Sequence, residues 1–255
     1  MKILKFILSG KTAFFKKPEV NTYYSFTYGN IHKVAMLGIF GSILGYGGYG
    51  QMKKGDIYPE FYEKLKDLQI SVVPLPIMVA SEEKNRRKRG NYANGYIPKK
   101  IQSFNNSVGY ASKEAGGNLI IKEQWLENPR WEIYLKLDTE LALQIADSVL
   151  SKKCVFIPYL GKNDHPADIS DFEIMDGELP SNEVNEIHSL FPKNCASIDL
   201  DEDIEYPFKY EESLPIALDK ERNMYEHQCF VFTNMAVKRI SCETVYVNDK
   251  YIVFY

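Results

Sequence analysis

The sequence predicts an α+β protein, a ferredoxin-like or RRM-like domain followed by a small β-rich C-terminal subdomain. Three observations lead there. Segments of strand and helix periodicity succeed one another as strand, helix, strand and, after a strongly basic insertion, strand, helix, strand. From residue 155 onward the pattern changes to short apolar runs separated by turn residues. The chain has 255 residues, 45% of them hydrophobic and 25% charged, which is globular composition with length for one large domain or two small ones.

Residues 2–8 read as a strand, ended by Ser9 and Gly10. A loop over 11–29 is dense in aromatic and basic side chains: Phe14, Phe15, Lys16, Lys17, then Tyr23, Tyr24, Phe26 and Tyr28. Asn30 is placed to cap a helix through about residue 44, with Ile31, Val34, Ile39, Phe40 and Ile43 on its core side. Gly38, Gly41 and Gly45 share one side of that helix and invite close approach of another backbone. Residues 58–68 fit a short amphipathic helix. Residues 70–79 read as a strand that Pro74 and Pro76 confine to an edge or bulge. The polar stretch 81–100 follows, then a hairpin of 101–110 with 118–125, a strand over 131–137, and a helix capped by Asp138 through residue 150. Beyond, strands are expected at 168–174, 195–200, 228–237, 244–247 and 250–254, with one helix near 181–190. The division is drawn as 1–153 and 154–255.

Several function classes drop out. The apolar run at 34–46 falls short of the ~20 residues of a bilayer span and is interrupted by glycines. Lys2 and Lys5 alternate with apolar residues at the start, which is not the layout of a secretory leader, so a cytoplasmic protein without membrane attachment is expected. Cys154, Cys195, Cys229 and Cys242 form no CxxC and share no ligand spacing with the four histidines, so neither a metal nor another cofactor is expected.

Charge is divided unevenly. Residues 1–137 hold 21 Lys and Arg against 11 Asp and Glu, whereas the remainder holds 10 against 23. A basic first half points to an anionic partner, with nucleic acid the commonest. Within it, the 14–28 loop combines flat rings with cations, the pairing single-stranded RNA needs for its bases and phosphates; packing of those rings on the sheet, with Phe26 the first to be buried, is the alternative. Arg86, Arg87, Lys88 and Arg89, with Lys99 and Lys100, would contact phosphates without reading sequence. The run Gly45 to Gly50 admits a phosphate-loop reading but more simply ends a helix. For catalysis, a metal-independent ribonuclease would draw on His32 with Lys33 or Tyr46. A helix-start histidine is more often a polar or RNA-contacting residue.

Residues 6–18 (FILSGKTAFFKKP), Tyr23 to Phe26, 39–46 (IFGSILGY) and 158–168 (PYLGKNDHPAD) resemble CRISPR-associated protein family five, and within it the type I-B branch. The resemblance implies a RAMP-type ferredoxin-like core with a protruding β-hairpin thumb within about 82–125. It implies a Cascade subunit that holds the 5′ handle of the CRISPR RNA and touches the family-seven backbone subunit and the family-eight large subunit. Target DNA is then met only through the complex. Carried over by position, Phe14, Lys16, Lys17 and Tyr46 are RNA contacts, and Tyr24, His32 and Lys33 are added on their own side-chain chemistry. The type I-C branch cleaves precursor RNA with a Tyr and a Lys-His pair. This chain has no Lys-His dipeptide, so a non-catalytic role is expected, with a metal-independent endoribonuclease as the alternative.

Overall fold

The structure, a computed structural model, describes residues 1–19, 22–75, 94–105, 113–115, 117, 119–200, 204 and 206–255. It is mixed α+β, with far more strand than helix. In chain order, β1 is Lys2–Ser9, β2 Thr12–Ala13 and β3 Tyr24–Ser25, followed by α1 Lys33–Leu44, α2 Glu60–Leu65 and β4 Ile70–Pro74. Next come β5 Lys99–Asn105, β6 Ile120–Glu127, β7 Arg130–Lys136, α3 Glu140–Leu150 and β8 Asp168–Asp176. The rest is strand: β9 Phe191–Pro192, β10 Ser197–Ile198, β11 Lys209–Leu218, β12 Tyr225–Thr233, β13 Val237–Lys238, β14 Thr244–Val247 and β15 Lys250–Val253.

The principal sheet has the order β4-β7-β1-β8, with every neighbouring pair antiparallel. Alternation along β1 sends Leu4, Phe6 and Leu8 to one face, where they meet Ile133 and Leu135 of β7 and the helices α1 and α3. Phe6 and Phe40 pack edge to face at 6.3 Å. The opposite face carries Ile3, Val73 and Tyr134, which the β14–β15 hairpin covers with Val245, Val247 and Ile252. Between these lies an ionic cluster in which Glu132 takes Lys250 at 2.9 Å and the Tyr134 hydroxyl at 2.9 Å. Pro74 sits on the edge strand, where its missing N–H costs no ladder bond.

Between β4 and β7 the chain makes the antiparallel β5–β6 hairpin, in register Lys99 to Leu126 through Asn105 to Ile120. Its root is fastened by β2, which pairs with the end of β6, and β3 runs parallel to β6 with Tyr24 opposite Lys122. The 158–168 segment clamps the same root. Leu160 accepts from the Phe14 amide at 3.0 Å, and the Thr12 hydroxyl lies 2.6 Å from Nδ1 of His165. Gly161 has φ +86, and a Cβ there would overlap the Phe14 carbonyl.

Several expectations are corrected. His32, not Asn30, caps α1, with Nδ1 accepting from the Ala35 amide at 3.2 Å. Asn30 is instead buried, donating to the Gly95 carbonyl at 2.8 Å and accepting from the Trp131 indole at 2.9 Å. Thr139, one residue beyond Asp138, caps α3. Gly41 takes Phe61 of α2 against it and Gly45 ends α1 in left-handed conformation, but nothing approaches Gly38. No helix forms at 181–190, because its backbone bonds outward: Val237 to Asn185, His188 to Tyr251 and Leu190 to Val72. β11 forms where no strand is expected. β8 belongs to the principal sheet, and Leu214 and Phe230 of β11 and β12 share one core with β1 and α1. No helix among the described residues is long and apolar enough to cross a membrane.

Two glycines give opposite predictions. Gly161→Ala is expected to cost about 2–4 kcal/mol through backbone strain and overlap, visible as a Tm drop of roughly 4–16 °C. Gly38→Ala, in open helical space, should be neutral or raise Tm slightly. Calorimetry on both variants decides; a harmless Gly161→Ala would contradict the clamp.

Candidate nucleic-acid interface

Burial divides the aromatic side chains of the 14–28 strap into two sets. Phe14, Phe15 and Tyr28 point into the core, so their rings offer no stacking surface. Tyr24 and Phe26 point outward and pack against each other with centroids 4.5 Å apart and ring planes tilted by 33°. Phe26 is 37% exposed and Tyr23 66%, so the alternative in which the rings pack on the sheet with Phe26 the first to be buried does not hold for these two. Ser25 and Thr27 take the inward positions, and the Thr27 hydroxyl accepts from the Phe15 amide at 3.0 Å. The alternation of ring and small hydroxyl over 24–27 is a legible sign of that outward pair.

Cross-strand partners share a face, so Tyr24 lies beside Lys122 of β6 and Ser103 of β5, with Lys99 and Ile101 farther along. Ile101 is exposed, as are Lys122 and Lys16. Neither Lys16 nor Lys122 has an ion-pair partner among the described residues. Tyr24, Phe26 and Lys122 make a surface of two adjacent rings with a cation beside them, an arrangement suited to unpaired bases and phosphates, while Lys16 lies opposite the inward Thr27. Sequence reasoning misses Lys122 because a lone lysine on an alternating strand carries no local signal.

Lys17 and Lys99 stand at one margin of this surface and are restrained. Lys17 Nζ is 3.0 Å from Glu212 Oε1 and 4.9 Å from the Tyr28 ring centroid. Burial lowers the pKa of Lys99, Glu212 opposing and Lys17 reinforcing that shift. Glu212 also accepts from the Gly29 amide at 2.9 Å and from the Tyr210 hydroxyl at 2.6 Å, so a carboxylate of the acidic half anchors the strap.

The other expected residues lie elsewhere. Lys100 is on the opposite face of the hairpin, 3.8 Å from Glu127 and over the Trp125 ring. Tyr46 follows the far end of α1, about 18 Å along the helix from His32, with Lys64 Nζ 4.1 Å from its ring centroid. The neighbouring glycine amides are already engaged, Gly47 with Glu60 at 2.8 Å and Gly48 with Gln51 at 2.9 Å, so neither is free to cradle a phosphate. Lys33 is buried, and desolvation lowers its pKa against the pull of Asp67. Arg86, Arg87, Lys88 and Arg89 lie outside the described residues. Among the described residues no group of three or more His, Cys, Asp or Glu gathers to hold a metal ion.

His32 is buried between Phe15, Tyr28 and Tyr225, whose rings meet it edge-on. Desolvation, aided by His227, lowers its pKa to about 3. That shift favours the neutral imidazole, whose Nδ1 is engaged in capping α1. The unfolded chain binds this proton near 6.5 and the folded chain only near 3, so its contribution to stability falls as pH drops through that window. Thermal melts between pH 7 and pH 4 should show a smaller acid loss for His32→Asn, which keeps a capping acceptor, than for the wild type. Equal losses would contradict the buried neutral ring.

No protein-family model matches the chain, and no curated protein matches its sequence. Among solved structures it is similar to a chain of a CRISPR RNA-guided surveillance complex, at 12% identity and TM-score 0.49, covering 93% of this chain and 92% of that one. It is also similar to a CRISPR protein from Archaeoglobus fulgidus, at 11% identity and TM-score 0.49, covering 100% and 99%. A third likeness is to a chain of the type III-B Cmr-beta complex bound to cognate target RNA and AMPPnP, at 11% identity and TM-score 0.45, covering 94% and 86%.

Proposed function

We propose that this chain is a non-catalytic RNA-binding subunit of a type I CRISPR Cascade, of the I-B branch, that caps the 5′ handle of the CRISPR RNA. The observation that carries the reading is the outward Tyr24–Phe26 pair set beside Lys122 of the β5–β6 hairpin. Three further features support it. The order β4-β7-β1-β8, with α1 and α2 before β4 and α3 after β7, matches the β-α-β-β-α-β connectivity expected of a ferredoxin-like core, and the β5–β6 hairpin overlaps the interval 82–125 in which the resemblance puts a thumb. Two of the segments that resemble family five, 6–18 and 158–168, are hydrogen-bonded to each other beneath that hairpin. His32, the leading candidate for a general base, is sealed in the core.

In this role the chain supplies shape and charge and leaves sequence to base pairing by the guide. The handle's bases stack on Tyr24 and Phe26, while Lys16, Lys99 and Lys122 take phosphates. The family-seven backbone subunit and the family-eight large subunit are its protein neighbours, and target DNA is met through them.

Labelled repeat RNA, titrated over a range of salt, tests the assignment. Lys16→Ala and Lys122→Ala should each flatten the salt dependence by ~0.7 log unit for every phosphate that the lysine neutralises in the wild type. Phe26→Ala should weaken binding by about 1–3 kcal/mol with the fold intact. RNA lacking the handle should bind less well. In EDTA the bound RNA should remain uncut; a single defined cut abolished by His32→Ala would instead establish an endoribonuclease.

A further inference from the structure

Three consecutive apolar residues just after α3 stand out in solvent: Val155 is 63% exposed, Phe156 57% and Ile157 77%. They are not a frayed loop. The Val155 amide donates to the Ile43 carbonyl and the Phe156 amide to the Ser42 carbonyl, each at 3.0 Å, so the backbone is fixed to the C-terminal end of α1 while the side chains face outward. Val155 also lies against Gly45, where a Cβ would meet it at 2.8 Å. Ordered apolar side chains held in water raise the free energy of the isolated protein unless another surface covers them.

Beside this ridge is a pocket of about 220 Å³ whose floor is apolar, formed by Ile43, Val149, Pro158, Ile169 and Phe172. Its rim carries Lys152 and Lys153, both exposed, and Lys152 Nζ lies 5.7 Å from the Phe172 ring centroid. Neither lysine has a carboxylate partner among the described residues. The pocket adjoins the C-terminal end of α1, whereas the strap leads into its N-terminal end. An apolar ridge with an apolar pocket and two such cations is complementary to one kind of surface. We infer that residues 152–157 dock a segment of another protein that inserts an apolar side chain into this pocket and sets carboxylates against Lys152 and Lys153. A nucleic acid would satisfy the lysines but leave the ridge in water, and a second copy would bring like charges together. The inference deepens the proposed role, since it says which face meets a protein neighbour and what chemistry that neighbour presents.

The test is site-specific photocrosslinking from position 157 in cells expressing the complete assembly, with the adduct sequenced by mass spectrometry. The expected adduct is one segment of another protein with an apolar residue flanked by Asp or Glu. Phe156→Asp and the pair Lys152→Glu with Lys153→Glu should each reduce it at least tenfold, and reversing the partner's carboxylates to Lys should restore it in the Glu pair. An adduct to RNA or to a second copy, or none, would overturn the inference, as would a partner segment indifferent to the Lys152 and Lys153 reversal. Binding of repeat RNA by the purified variants is measured alongside. If RNA binding is unchanged while the adduct disappears, the docking face stands. If the wild type binds no RNA, the proposed function fails independently of the docking face.

Discussion

Much of this architecture turns on one carboxylate. Glu212 of β11 accepts from the Gly29 amide, the Tyr210 hydroxyl and Lys17, and so ties the aromatic strap to a strand nearly two hundred residues later in the chain. Its side chain is largely shielded from water, where charge-assisted hydrogen bonds are strong and an unpaired partner is costly. With the strap held there, Tyr28 turns inward, its hydroxyl 2.7 Å from Nε2 of His227, while Tyr24 and Phe26 turn out along the alternating stretch 24–27. The charge division of the sequence thereby acquires a structural meaning. The acidic half is not only a solvated or partner-facing surface; one of its carboxylates organises the basic half.

A second constraint moves the candidate site off the sheet. In an RRM the open face of the sheet offers the stacking rings. Here that face is closed by the β14–β15 hairpin, whose Val245 and Ile252 pack on Ile3 and Tyr134, and it is locked by the Glu132 cluster. What remains accessible is the insertion between β4 and β7 and the strap paired to it. The clamp of 158–168 beneath that insertion explains why those segments sit far apart in sequence yet act on one structure: Leu160 and His165 hold the root from which the hairpin projects.

The sequence was most informative where periodicity and local chemistry agreed. β1, β7, the edge position of β4 and the β5–β6 pairing followed from apolar alternation and proline placement. It was least informative where tertiary hydrogen bonds decide. The 181–190 segment has helical spacing, but its amides and carbonyls are taken by neighbouring strands. Asn30 has the chemistry of a cap, yet Trp131 and Gly95 claim its amide. At the candidate site, aromatic and basic content marked the strap but could not say which rings face out. Phe14 and Lys33 are buried, Tyr46 stands at the opposite end of α1, and Lys122 became visible only when strand pairing put it beside Tyr24.

The central claim is that the Tyr24–Phe26 face of the strap is where RNA lies. Repeat RNA carrying 4-thiouridine, crosslinked to the wild-type protein and mapped by peptide mass spectrometry, tests it most directly. The account predicts adducts concentrated at Tyr23, Tyr24 and Phe26 and on the Lys122 face of the hairpin. Adducts confined to the β14–β15 side of the sheet, or to the Tyr46 end of α1, would contradict it.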